Sequence, residues 1–255
     1  MGGMDVKLAI FSCDKLWGDQ TMKLVTLILM SVVALTSISI VRAETVDQIG
    51  TFAPVTYTGL QAALSQNDLG ASLPNLPNFA TAFENFTFTS SGVISSFSWI
   101  GEYESLSPGP LPVGGPNFQI NFYTSLGATA GSAIPVATFN LLAADTNQIA
   151  LTGSNTGFFS YTTTGTPFNV IGGTTYFTSI IAQMDYAIAG WGLAFSNLGN
   201  NLSTQDFGDT SLTRFNDTID YAISVTAVPE PGTLVILASV GGVFLIRRRF
   251  VSKQR

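Results

Sequence analysis

Asn117-Phe-Gln-Ile-Asn-Phe-Tyr123 alternates apolar and polar residues, so an extended chain sets Phe118, Ile120 and Phe122 on one face and the amides on the other. The same period of two runs through Val93-Ile-Ser-Ser-Phe-Ser-Trp-Ile-Gly-Glu-Tyr103, where Val93, Ser95, Phe97, Trp99 and Gly101 share a face. Between them, Ser107-Pro-Gly-Pro-Leu-Pro-Val-Gly-Gly-Pro116 reads as a loop, because proline withholds the backbone donor that a regular element needs. Two amphipathic strands joined by a Pro/Gly loop set the expectation for the rest of the chain.

Working outward, Glu84, Phe86 and Phe88 share one parity, and Phe83, Asn85, Thr87 and Thr89 the other, which predicts a further strand from residue 80. Short β-type runs follow at 136–143, 148–151 and 157–163. Pro167-Phe-Asn-Val-Ile-Gly-Gly-Thr-Thr-Tyr-Phe-Thr-Ser-Ile-Ile181 reads as strand, Gly172-Gly173 turn and strand, and runs at 187–195 and 218–226 complete the set. Strands spaced about ten residues apart and rich in Thr, Phe, Tyr, Val and Ile predict an all-β domain over 80–227, an antiparallel, jelly-roll-like β-sandwich. Residues 44–79 have little period and are expected to lead into it as a loop, with a short helix or turn at Gly59-Leu-Gln-Ala-Ala-Leu-Ser-Gln-Asn67. Pro74 and Pro77 keep the end of that stretch irregular.

Composition narrows the chemistry. The chain has 255 residues, 10% of them charged, no histidine, and a single cysteine, Cys13. Without histidine there is no Ser-His-Asp or Cys-His machinery and no imidazole metal site. No Gly-x-Ser-x-Gly elbow occurs, and Gly190-Trp-Gly192 has Phe195 where a dinucleotide loop needs its third glycine. Residues 44–227 hold twelve acids and one base, Arg214, for a net charge of −11. Such a surface repels phosphate backbones, so nucleic acid is not an expected partner. No cofactor is expected.

Two acid groupings merit a test. Glu102 and Glu104, two apart on a strand, share a face, but carboxylates adjacent on one strand do not flank a scissile bond from opposite sides. Asp206 and Asp209, with Asp217 and Asp220 nearby, are weak candidates for calcium ligands, without the spacing of a defined calcium loop, and a plain acidic turn is the preferred reading. Trp99, Trp191, Tyr103, Tyr161 and Tyr176 fall mostly on the apolar face and are expected in the core rather than on a sugar-stacking surface. Asn85, Asn201 and Asn216 match the Asn-x-Ser/Thr acceptor pattern.

Both ends read as targeting segments. Lys23 after Met22 supplies a positive start, residues 24–41 are apolar, and Val41-Arg42-Ala43 offers a cleavage site after Ala43. Met22 is the expected start of the exported protein, residues 1–43 being an extension plus signal peptide. An uncleaved N-terminal helix is the alternative. At the other end come Pro229-Glu230-Pro231-Gly232, an apolar run over 234–246, and Arg247, Arg248 and Arg249. The prolines make a stiff extended joint. The run's 13 residues rise about 20 Å as a helix, short of roughly 30 Å of bilayer hydrocarbon. The arginines act as the stop to transfer.

In motif, order and position, residues 228–255 resemble the Pro-Glu-Pro C-terminal sorting signal, PEP-CTERM. The resemblance implies a membrane protease of the exosortase type as partner, which recognises the tripeptide and removes the tail, in bacteria that make exopolysaccharide. Phe83-Glu-Asn-Phe-Thr-Phe88, Trp99-Ile-Gly-Glu-Tyr103, the 118–123 strand, Gly172-Gly-Thr-Thr-Tyr-Phe177 and Trp191 are similar to a sandwich ectodomain recurrent among such proteins. The expectation is thus an exported, non-catalytic surface or matrix protein that crosses the inner membrane transiently and passes to the envelope or extracellular polymer layer. A lectin-like module for exopolysaccharide, a permanently membrane-anchored periplasmic protein, and a hydrolase using Glu102 or Glu104 are the competing readings.

Overall fold

The two alternating runs become long strands that lie in different sheets and face each other. The computed structural model describes residues 42–58, 60–69, 80–104, 115–155, 157–208 and 213–229. In chain order the strands are β1 (Glu44–Asp47), β2 (Ala62–Leu64), β3 (Gln66–Asp68), β4 (Ala80–Thr87), β5 (Gly92–Glu104), β6 (Asn117–Tyr123), β7 (Ala137–Leu141), β8 (Ile149–Ala150), β9 (Phe158–Thr163), β10 (Asn169–Val170), β11 (Thr175–Met184), β12 (Gly190–Ser196), β13 (Ser203–Phe207), β14 (Thr213–Asp217), β15 (Asp220–Tyr221) and β16 (Ile223–Val228).

One sheet is built around β5. It pairs with β16 and β12 and also with β10 and β9; β1 extends β16, β8 extends β9, and β2 and β15 pair with β12. The second sheet runs β14-β13-β4-β3-β11-β6-β7, with β4 and β11 also paired directly. Between the sheets, Phe118, Ile120 and Phe122 of β6 meet Phe97 and Trp99 of β5. The Trp99–Phe118 ring centroids lie 5.1 Å apart and the Phe97–Phe122 centroids 5.9 Å apart, both edge-on. Tyr161 stacks on Trp99 at 5.4 Å, and Trp191 meets Phe118 at 5.0 Å. Trp191 lies over Gly101, where a Cβ would overlap the indole. Each such ring contributes about 1.5–3 kcal/mol by leaving water. The fold is therefore all-β, two sheets closed over an aromatic core.

Four expectations need correction. First, the face of β5 changes within the strand. Thr226 pairs with Ser96 but Ala227 pairs with Ile94, so a bulge absorbs Ser95. Ile94 is buried while Ser95 is exposed, and Val93 and Ser95 do not share the inward face of Phe97 and Trp99. Second, residues 44–68 are woven into the sandwich. β1 pairs with β16, β2 with β12, and β3 fits between β4 and β11 where those strands diverge. There is no helix over 59–67 among the described residues; strands of three residues are too short to display a period. Third, the sheets are not purely antiparallel, because β3 and β11 run parallel with Ala182 opposite Gln66. Ser65 holds that junction, its Oγ donating to Ile180 O and accepting from Ala82 N. Fourth, Asp206 lies in strand β13 of a β13–β14 hairpin rather than in an acidic turn. The expected terminal segments 24–41 and 234–246 and the irregular stretch 72–78 lie outside the described residues, as do Met22 and Cys13. Among the described residues no helix is long and apolar enough to cross a membrane.

Candidate functional site

The two expected processing junctions meet at one end of the sandwich. β1 begins at Glu44, directly after Ala43, and Glu44 pairs with Ala227 near the end of β16. β16 ends at Val228, and Pro229 follows it. Antiparallel pairing of the first and last strands puts the chain's entry into the sandwich beside its exit.

Both junctions rest on the 88–92 turn between β4 and β5. The Glu44 carboxylate accepts Thr89 N at 2.8 Å and Ser90 N at 3.1 Å, and Thr89 Oγ1 donates to it at 3.0 Å. These donors, the Thr89 amide foremost, hold the Glu44 carboxyl below its usual pKa. Gly92 seats the exit. A Cβ there would lie 2.6 Å from Val228 O and 3.1 Å from Pro229 Cα, so only glycine lets the outgoing chain pass this close. The neighbouring 171–174 turn is tied in by Gly172 N donating to Ser91 Oγ at 3.0 Å and Gly173 N donating to Phe88 O at 2.8 Å. Ala43 is exposed and Pro229 half-buried. Glu230, Pro231, Gly232, Arg247, Arg248 and Arg249 lie outside the described residues.

The acid candidates fall elsewhere. Asp206 is held by Arg214, with Nε donating to Oδ1 at 2.6 Å and Nη2 to Oδ2 at 2.7 Å, and Gly131 N donates to Oδ2 at 3.0 Å. Arg214 also donates to Gly127 O and Leu126 O, pinning the 126–131 loop to the hairpin. A guanidinium occupies the carboxylate that the calcium expectation needs, and Asp209 lies outside the described residues. Among the described residues no group of three His, Cys, Asp or Glu side chains is placed to hold a metal ion. Glu102 is half-buried at the end of β5 and pairs across to Gly192 and Phe158; the Glu104 side chain lies outside the description. Trp99, Trp191 and Tyr161 are fully buried and unavailable to stack on a sugar. Asn85 is buried, its amide paired with that of Asn200, whereas Asn201 and Asn216 are exposed.

The sequence reading overlooked a buried acidic cluster. Glu84 is fully buried; its Oε2 accepts Tyr221 N at 2.5 Å and its Oε1 accepts Asn85 N at 2.8 Å, with Gln48 Nε2 at 3.5 Å. Burial pushes its carboxyl well above the usual range, and the Asp220 charge adds to the rise against the pull of those donors. Asp220, also fully buried, accepts Asn201 N at 2.8 Å and Leu202 N at 3.3 Å. Tyr221 Oη donates to Asp217 at 2.9 Å, and burial raises the Asp217 carboxyl as well. All the oxygens of Glu84 and Asp220 serve backbone amides, so the cluster pins strands together. Its signal in the sequence was a lone glutamate on the parity of Phe86 and Phe88.

No protein-family model matches the chain, and no curated protein matches it. The fold and the junction define an all-β sandwich whose first and last strands are partners.

Proposed function

We propose that the chain is an exported bacterial surface or matrix protein, non-catalytic, sorted through its Pro229-Glu230-Pro231 tail. In this reading residues 22–43 direct export, and cleavage after Ala43 leaves Glu44 as the first residue. The 234–246 segment holds the protein in the inner membrane with Arg247, Arg248 and Arg249 as its stop. An exosortase-type protease then removes the tail, and the acidic sandwich passes to the envelope or the exopolysaccharide layer.

The observation that carries the reading is the fit of the sandwich between the two targeting segments. Its first strand starts one residue after the cleavage motif, and its last strand ends one residue before Pro229. Neither junction cuts through an element. The net charge of −11 over 44–227 favours solubility outside the membrane. The roles assigned are structural or adhesive, and Glu84, Asp220 and Asp206 serve backbone amides or a guanidinium.

The test is intact mass of the protein from membrane and medium fractions of its native host. A released species running from Glu44 to a terminus near Pro231 is the expected result. A species that retains Arg255 and stays in the inner membrane overturns sorting in favour of a permanent anchor.

A further inference from the structure

We infer that the folded end of the sandwich, formed by the 88–92 turn, Ile171, Val228 and Pro229, is itself a docking surface for the membrane protease that cuts the tail. This deepens the sorting reading and rests on it.

The first argument is reach. Val228 is the last residue of β16, pairing with Val93, and Pro229 lies against Gly92. There is no slack between the domain and the motif. A cut within the three residues after Val228 places the catalytic groups within about 10 Å of the strand end, even with the chain fully extended. An enzyme working that close must touch the sandwich. It also cannot take Ala227 or Val228 as an extended peptide, because β5 already occupies their ladder bonds. On the upstream side it meets a folded edge rather than a flexible segment.

The second argument is the chemistry of that end. Thr87, Thr89, Ser90, Ser91 and Thr175 are exposed hydroxyl residues there, Ile171 is 65% exposed and Val228 is 42% exposed. The segments 87–93, 169–175 and 224–229 contain no charged residue, in a region that holds twelve acids. Among the described residues the acid at this end is Glu44, and its carboxylate is engaged by Thr89 and Ser90. The end thus offers exposed hydroxyls and two exposed apolar side chains, and no concentrated acid among its described residues opposes a partner's approach.

The third argument is rigidity. Glu44 and the 171–174 turn brace the 88–92 turn, so the surface is preorganised rather than assembled on contact.

The experiment follows processing of the full chain by intact mass in its native host. Three proteins are compared: the wild type, a chain with six Gly/Ser residues inserted between Val228 and Pro229, and a chain with the same six inserted after Gly153, where the surface is open. Docking predicts that the first insertion slows tail removal about tenfold or more while the second leaves it unchanged. Gly92→Ala, which pushes Val228 and Pro229 off their seat, is expected to slow it too, with the far-ultraviolet β-signature retained. Tail removal at the wild-type rate from the Val228 insertion overturns the docking surface and leaves the sorting reading intact. A wild-type chain that is never cut overturns both. A third outcome points to lipid. If Ile171→Ser lowers membrane retention of the full chain in a host lacking the protease, yet leaves cutting unchanged where the protease is present, the end rests on the bilayer and the inference falls.

Discussion

The aromatic centre and the Glu84 cluster are equally buried, and they hold the sandwich in opposite ways. At the centre, Trp99, Tyr161, Phe118 and Trp191 exclude water with rings whose edges and faces alternate. Around Glu84, two acids are buried with no basic side chain among the described residues beside them, stabilised by backbone amides of Asn85, Asn201, Leu202 and Tyr221. The first arrangement depends on volume and close packing rather than on bond direction, because dispersion and hydrophobic burial are non-directional. The second tolerates little, because an amide left without its acceptor in a dry interior keeps its full desolvation cost. The aromatic centre thus stabilises by burial, and the carboxyl groups of Glu84 and Asp220 fix which strands sit next to which.

Substitutions separate the two. Trp99→Ala empties one of the two largest sites in the centre and is expected to cost about 3–5 kcal/mol, measured by urea unfolding. Glu84→Ala deletes far fewer apolar contacts, but strands the Tyr221 and Asn85 amides, at an expected cost of about 2–4 kcal/mol. A value for Glu84→Ala below about 1 kcal/mol would mean that water replaces the carboxylate and that the cluster is not the strand-pinning device described. Arg214→Met, which frees Asp206 and the 126–131 loop at a partly exposed site, should cost about 2 kcal/mol and raise hydrogen exchange in that loop first.

Acidity gives a sharper contrast, because the folded state raises the Glu84 carboxyl above its ordinary value of 4.5. Between that value and the folded one, the folded chain holds a proton that the unfolded chain has released. Stability is therefore fully present at and below the ordinary value and declines as pH rises through the folded one, by at most about 1.4 kcal/mol per pH unit. Asp217 acts in the same direction, also through burial. In Glu84→Gln this decline should shrink to the Asp217 share. The variant should also lose about 1–3 kcal/mol, because the new NH2 group faces an amide that needs an acceptor. An unchanged pH profile in Glu84→Gln would assign the decline elsewhere.

What could be read from the sequence divides along the same line. Phe118, Ile120 and Phe122, and Phe97 with Trp99, show their burial by alternation, because a period of two is what a sheet facing a core imposes. The bulge at Ser95 was invisible, since one extra residue shifts the parity without changing composition. Strands β2 and β3 were too short to show a period, and β3 gains its place from the splaying of β4 and β11, a tertiary event. Asp206 looked like a turn acid because its partner, Arg214, lies across a hairpin that only the fold closes. Glu84 was legible in part, as the single charge in an apolar parity, but its amide partners on Tyr221 and its own neighbour were not. The junction was the reverse case. Ala43 and Pro229 were marked by motifs, and pairing of β1 with β16 alone brings them together.

The smallest effect concerns the acid whose shift has the opposite sign. Glu44 is a surface carboxylate with three donors from Thr89 and Ser90, and the folded state lowers its value. Its contribution is present above the ordinary carboxylate range and is lost as pH falls through the folded value. Solvent screens it, so Glu44→Ala should cost about 0.5–1 kcal/mol at neutral pH and nothing at pH well below that range. Glu84 and Glu44 therefore tilt the pH profile in opposite directions, and the two variants together should distinguish a carboxylate held by burial from one held by amides at the surface. If Glu44→Ala destabilised the sandwich equally at low and neutral pH, the turn would be held by the length of the side chain and not by its charge. The brace proposed for the 88–92 turn would then survive protonation, and the docking proposed above should be insensitive to acid over that window.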